Sequence, residues 1–479
     1  MHLPPKHRKK FQIFRWIFFW FRVFGLLLLV GLAMQLVLWS HDYDPRFYQF
    51  LGTAPGKALS EFMEWPNLYN RVNDEKAIDT YSVEESKWKQ KLENQIRQTW
   101  PTHTLGLKDG TELHVRLLSQ TKTHLHIREY FGGQGRLDRD LNKSILKNIK
   151  VYDEEVPKVT LRDIHFQMEY PEFNLTYFGH FTILTDAPYF QVSTSVEALE
   201  YLRSQYIELF TSILRFPQTN QNLQVLFFSN EKDFRLHQND TAPELDSSVG
   251  YYSPLEDRMV LFNQQFSLRA DEVRVVVKED IQELLSLAKT SDQRQQILQM
   301  QRHAEEQIRD QAHLETLATL RHEGAHHLSY TYGVHSWIHT ENGWLIEGLA
   351  CYFEQLSPGN PDPSYLRSLF RLELEGRIPS VSQLVEVRQP DQFEAELPGI
   401  HSHETYALSW SLFHFCMLPE NRENFFAYLA YIQSPSDIGA LMAHQRVELL
   451  SNYLGLSKFE LNQKWREYIR TLLWNMAAT

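Results

Sequence analysis

Cysteine is nearly absent, with only Cys351 and Cys416 in 479 residues. They form no CxxC pair, which excludes a disulfide-framework fold and a cysteine zinc cluster. Both read as small core residues. Long basic runs are missing as well. The chain has 48 Lys and Arg against 60 Asp and Glu, a net charge of −12. Phosphate contacts need clustered Lys and Arg, so no nucleic-acid partner is expected. Neither a disordered nor a collagen-like composition is present, since 43% of residues are hydrophobic and 23% charged, as in globular proteins. The length allows about three domains and a sizeable core. Histidine is plentiful, at 21 residues, so accidental metal-like pairs must be discounted.

The first 40 residues differ from the rest. Lys6, Arg8, Lys9 and Lys10 form a basic cluster, and an apolar, aromatic run follows. Residues 23–40 carry no charge over 18 positions, about the length that crosses a hydrocarbon core. Arg22 lies near enough to an end to snorkel, and Trp16, Trp20 and Trp39 suit the two interfaces. The basic flank belongs in the cytoplasm, which sends residues 41–479 outside. Leu36 to Ser40 offers no good A-x-A-like site, so an uncleaved single-pass signal anchor in the cytoplasmic membrane is expected rather than a removed signal peptide.

Residues 41–102, punctuated by Pro45, Pro55 and Pro66, read as a stalk with a helix near 82–97. Residues 103–152 alternate apolar and polar around Asp109-Gly110 and Gly132-Gly133 turns, the pattern of a small β-rich, SH3-like domain. His114, His124 and His126 within it read as solvent-facing, because no carboxylate or cysteine accompanies them. From 178 the pattern is α+β. Residues 181–184 and 223–228 read as strands, and 250–252 with 259–262 as a hairpin around Pro254. Thr194 and Glu197 read as a capping box ahead of a helix at 196–214. Residues 270–315 are charged and Gln-rich, a helical insertion broken near Ser291-Asp292.

Chemistry concentrates at His322-Glu323-Gly324-Ala325-His326. Histidines at i and i+4 lie on one helix face and can reach one metal ion. Glu323, beside them, can take a proton from water activated by that ion. At this histidine content, roughly one such chain in fifteen to twenty would carry the motif by accident. Context strengthens it: Leu317, Leu320, Ala325 and Leu328 supply a core face, and Gly333 a helix stop. Glu347, 21 positions after His326, opens a second apolar helix in Trp344-Leu345-Ile346-Glu347-Gly348. A turn through 333–343 would fold this helix back and present Glu347 as third ligand. Two histidines, a glutamate and one open position form a catalytic zinc site.

The segments HEGAHH and WLIEGLACYFE resemble the gluzincin metallopeptidases, and most closely the bacterial peptidase-MA-like proteins that pair HExxH with WLxEGxAxYF. The likeness runs over 178–475, including 406–415 and a closing helix with Trp465. It implies a zinc hydrolase with one Zn²⁺ held by His322, His326 and Glu347, and Glu323 as general base. Thermolysin-like gluzincins carry an acid four residues after the ligand glutamate to orient a histidine. Here that position is Cys351, and Glu354 is the candidate replacement.

Tyr406 is the candidate oxyanion donor, with His403 and His401 as alternatives. His327 points about 100° away from the ligand face and reads as structural. His335 and His339 read as surface residues. The expected architecture is α+β: a mainly helical gluzincin-like domain with an N-terminal mixed sheet, preceded by a small β-barrel-like domain and a transmembrane helix. The expected activity is hydrolysis of a peptide or protein substrate, lying along the strand edge at 259–262. A non-catalytic gluzincin-like scaffold and a hydrolase of a non-peptide amide remain the alternatives.

Overall fold

The structure is a computed structural model that describes residues 81–478, apart from 131–135, 153–154, 215–221, 246–247, 255, 336–341, 389–392 and 434–442. The expected anchor at 23–40, the stalk up to residue 80 and His339 lie outside the described residues. Among the described residues no helix is long and apolar enough to cross a membrane. The described chain is mixed α+β, with two five-stranded sheets.

Helix α1, Val83–Thr99, opens on a capping box in which Ser82 and Glu85 satisfy each other's backbone N–H groups. The sequence placed this stretch in a stalk. Instead Leu92 and Ile96, spaced i and i+4, are buried in one cluster with Ile164, Phe166 and Leu175. A helix stripe of this kind needs covering, and the second sheet's outer layer covers it.

Strands β1 (His103–Leu107), β2 (Glu112–Gln120), β3 (His124–Tyr130), β4 (Arg136–Asn142) and β5 (Leu146–Val151) form the first sheet, in the order β4-β3-β2-β1-β5. Every pairing is antiparallel. Period-two alternation turns Leu125 and Ile127 into a small core with Leu105, Val115 and Leu141. His124 and His126 therefore share the outer face. His126 does meet a carboxylate, with Nδ1 3.0 Å from Asp140 Oδ1, a cross-strand partner that the sequence reading lacked.

Helix α2 (Leu161–Glu169) leads into the second sheet, built from β6 (Asn174–Phe178), β7 (Phe181–Thr185), β8 (Leu223–Phe228), β9 (Gly250–Ser253) and β10 (Arg258–Phe262). Helix α3 (Tyr189–Phe210) links β7 to β8, and α4 (Glu231–Thr241) follows β8. The order is β6-β7-β8-β10-β9, with β7, β8 and β10 parallel and the two outer strands antiparallel to their neighbours. Alternate side chains serve opposite layers. Ile183, Val225, Phe227, Met259 and Leu261 join the main core, whereas Leu226, Phe228, Val260 and Phe262 join the cluster that contains Leu92.

Two expectations are corrected here. The helix expected to start at Thr194 begins earlier, because α3 opens at Tyr189, directly after Pro188, and position 194 lies in its interior. The buried face starts at Val192, one turn before the Val196 from which the periodicity was counted. Residues 259–262 are not an edge, because β10 is paired on both sides; β9 is the edge strand.

Helices α5 (Leu268–Leu287) and α6 (Ser291–Thr331) make the expected helical excursion, but the break falls at 288–290. Thr290 and Gln293 form the capping box that starts α6. Over 41 residues α6 runs from the exposed excursion into the core, where its last turns carry the HExxH motif. Helices α7 (Gly343–Phe353), α8 (Pro363–Leu374), α9 (Val381–Glu386), α10 (Phe393–Glu396), α11 (Ser402–Cys416), α12 (Pro419–Ile432), α13 (Ala443–Tyr453) and α14 (Lys458–Ala478) complete the domain. Trp410 and Trp465 are fully buried within this layer. The Trp465 indole donates to Ser411 Oγ at 3.1 Å, which ties α14 to α11.

Candidate metal centre

Two glycines set how closely the helices around the motif approach. Gly324 lies within the motif itself, and a Cβ there would meet Leu202 Cδ2 of α3 at 2.7 Å. Gly348 follows Glu347, and a Cβ there would meet the Ser409 carbonyl oxygen of α11 at 2.5 Å. The missing side chains seat α6 on α3 and α7 on α11. Arg321 then fixes α7 against α6. It is fully buried, and its guanidinium donates to the Phe353 and Gln355 carbonyls at 2.7 and 2.8 Å, just where α7 ends. Those carbonyls have no partner within the helix, and the cation also faces the negative end of the helix dipole. Burial pulls the Arg321 pKa down to about 10, still far above neutrality.

This packing brings His322, His326 and Glu347 together. The two Nε2 atoms are 3.1 Å apart, and Glu347 Oε2 lies 3.2 Å from that of His322 and 3.8 Å from that of His326. A triangle with these sides has a centre about 2.0 Å from each corner, and zinc–nitrogen and zinc–oxygen bonds are ~2.0–2.2 Å. Glu347 Oε2 is buried with no hydrogen-bond partner. An acceptor left bare against two facing ring nitrogens suits a shared cation, so the donor set fits a metal ion. The possible metal-binding group His322, His326 and Glu347 is thus present.

A second group, His322, Cys351 and Glu354, lies behind the first. Its atoms already satisfy one another. His322 Nδ1 is 2.7 Å from Glu354 Oε1, and the Tyr365 hydroxyl, 2.7 and 2.6 Å from the two Glu354 oxygens, donates its one proton to that carboxylate. Cys351 Sγ is only a contact of His322, at 4.0 Å, and lies 3.3 Å from the Tyr365 hydroxyl. Cys351 and Cys416 are both buried free thiols.

The electrostatics follow from burial and from these neighbours. Burial opposes charge on His322, but its neighbours Cys351, Glu347 and Glu354 outweigh it and hold its pKa well above the usual value. Burial pulls His326 down to about 3. Burial opposes ionisation of Glu347, yet the two imidazoles hold its pKa below the ordinary range. Burial pushes the Glu323 carboxyl up to about 7. Glu323 Oε2 accepts the Tyr252 backbone N–H at 2.8 Å, so the edge strand β9 holds the carboxylate beside the imidazole pair.

Tyr406 sits on the opening turn of α11, 37% exposed. Its ring stands perpendicular to that of His322, with centroids 5.8 Å apart. His401 and His403 stack on each other, and His403 accepts from Arg371 at 2.6 Å. Those contacts engage the two alternatives in the charged cluster around Glu404. His327 lies buried on the far face of α6, stacked on Tyr252 and 3.5 Å from Asp257. His335 is a correction: it is buried against Tyr330 and not on the surface. Its backbone N–H donates to Ser329 where the chain doubles back after α6, and this fold buries the ring. Sequence reasoning missed Arg321, Tyr252 and Tyr365. None carries a motif signal, because each acts through a tertiary contact.

A model of the family described as "Protein of unknown function (DUF1570)" matches residues 316–437. The match takes in all three candidate ligands, Glu323, Glu354, Tyr365 and Tyr406. No curated protein and no solved structure matches the chain.

Proposed function

We propose that this protein is a membrane-anchored zinc metallopeptidase of the gluzincin type, with its active domain outside the cytoplasmic membrane. The observation that carries this reading is the convergence of His322, His326 and Glu347 on one point, with Glu323 alongside. Bound there, a zinc ion would polarise a substrate carbonyl and lower the pKa of water towards about 7. The two imidazoles would hold the ion through Nε2, and Glu347 would contribute one carboxylate oxygen.

Glu323 is the general base. A buried carboxyl near about 7 is poised to take a proton at neutral pH and return it to a leaving amine. Tyr406 is the donor to the developing oxyanion, from a helix that also packs on α7. The substrate peptide takes the edge strand β9 as its platform, in place of the interior strand at 259–262. The five-stranded antiparallel sheet at 103–151, in which β1 to β4 meander and β5 returns beside β1, supports the SH3-like reading of the preceding domain.

The test is cleavage of a peptide library by full-length protein, with and without chelator, and by a Glu323→Gln variant. Chelator-sensitive cleavage that Glu323→Gln abolishes while zinc content stays near one per chain is expected. Full hydrolysis by Glu323→Gln would remove the base assignment. Zinc binding without cleavage of any peptide or amide would favour the scaffold alternative.

A further inference from the structure

We infer that Glu354 and Tyr365 form a positioning pair that orients His322 and raises metal affinity. They take over the task for which Cys351 stands in the expected place but lacks the chemistry. The inference rests on the metal centre proposed above.

The geometry of α7 explains why the task falls to Glu354. Positions 351 and 354 follow Glu347 by four and seven residues, close to one and two full turns, so all three lie on the face turned to α6. Cys351 is the nearer, yet its sulfur is 4.0 Å from His322 Nδ1, and a thiol is a weak acceptor. Glu354 lies one turn further on, at the C-terminal cap of α7, and its longer side chain reaches the same nitrogen at 2.7 Å. A carboxylate there accepts the hydrogen bond from Nδ1–H, which leaves the lone pair of Nε2 facing His326 and Glu347.

Glu354 would swing freely at a helix end unless it were held. Tyr365, in the first turn of α8, holds it. That residue is buried, and its hydroxyl reaches both carboxylate oxygens and the Cys351 sulfur. Asp362 caps the start of α8 through the Ser364 N–H at 2.7 Å, so the tyrosine comes from a fixed helix end. The chain Tyr365–Glu354–His322 has no counterpart on the other imidazole, whose Nδ1 has no hydrogen-bond partner among the described residues. His322 is thus the pre-oriented ligand of the pair.

The experiment measures the zinc dissociation constant of the full-length protein by competition with a chromophoric chelator. The thermal midpoint of the metal-free protein is recorded beside it. Glu354→Ala is expected to weaken zinc binding about 10–100-fold, the usual effect of losing such an outer partner. Glu354→Gln should lose less, because the amide oxygen still accepts from Nδ1. Tyr365→Phe should weaken binding several-fold, and Cys351→Ser less than twofold. The metal-free midpoints should stay within a few degrees, a pattern that a merely structural role would reverse. If wild type binds one zinc and both Glu354→Ala and Tyr365→Phe bind within twofold of it, the positioning pair is refuted and the metal centre stands. If wild type binds no zinc, the metal centre itself fails and the pair falls with it. Should Glu354→Ala unfold, Tyr365→Phe decides alone.

Discussion

Gly348→Ala is a single methyl group with a calculable consequence. In an exposed helix the change would stabilise by about 1 kcal/mol, because alanine is the better helix former. Here the new Cβ would lie 2.5 Å from the Ser409 carbonyl oxygen and 2.9 Å from Phe413 Cβ. The oxygen is backbone, so no rotamer change relieves the clash and α7 must move away from α11. Overpacking of this kind costs about 1–3 kcal/mol. The net expectation is a loss of up to about 2 kcal/mol.

The displaced helix carries Glu347 with it, so zinc affinity should fall at least about tenfold, the scale of misplacing one element of a site. Gly324→Ala is the internal control. Its neighbours are Leu202 and Leu199 methyl ends, at 2.7 and 3.1 Å, which can rotate aside. That variant should stay within about 1 kcal/mol of wild type. Thermal unfolding with parallel zinc titration reads both quantities. A Gly348→Ala protein as stable as wild type, with unchanged zinc affinity, would refute the claim that this glycine sets the position of Glu347.

Arg321→Met should destabilise by about 1–3 kcal/mol, because it strips the Phe353 and Gln355 carbonyls of their donor; an unchanged denaturation midpoint would contradict it. Tyr406→Phe should retain wild-type zinc affinity while losing peptide cleavage, as an oxyanion donor requires; equal cleavage would return the residue to a packing role. His237 carries a pH prediction. Burial and then Arg258 pull its pKa from 6.5 down to about 4, and Tyr170 shares a 2.6 Å hydrogen bond with its Nδ1. Between those values the unfolded chain binds more protons than the fold. This contribution is therefore complete above about pH 6.5 and falls away towards pH 4, by up to about 3 kcal/mol. Urea titrations across that range should show the slope, and His237→Gln should flatten it.

The parts of the site legible in the sequence are the local ones. His322 and His326 share a face because 3.6 residues make a turn, and that holds in any fold that keeps α6 helical. Glu347 came from a second helix whose apolar character demanded burial near the first. Strands 181–184, 223–228 and 259–262 announced themselves as apolar runs broken only by Thr182 and Gln224, which is how strands buried on both faces read. Their order did not. Whether the hairpin of β9 and β10 joins the sheet through its first or second strand depends on the parallel pairing of β10 with β8, and no local pattern encodes it. The start of α3 was lost for a different reason: Pro188 supplies a helix entry without a side-chain cap. His335 was placed outside because a connecting loop is usually exposed, but the chain folds back against Ser329 and Tyr330. Arg321 and Tyr365 bind backbone and carboxylate across more than ten residues, beyond the reach of any periodicity.

X-ray absorption at the zinc edge, on full-length protein loaded with one equivalent of zinc, tests the central claim most directly. The prediction is two imidazole nitrogens and one carboxylate oxygen at about 2.0–2.2 Å, with one further light-atom ligand. Replacing Glu347 with alanine should remove one oxygen and leave both imidazole signals. A sulfur scatterer at about 2.3 Å, or a zinc shell without imidazole, would contradict the assignment of His322, His326 and Glu347.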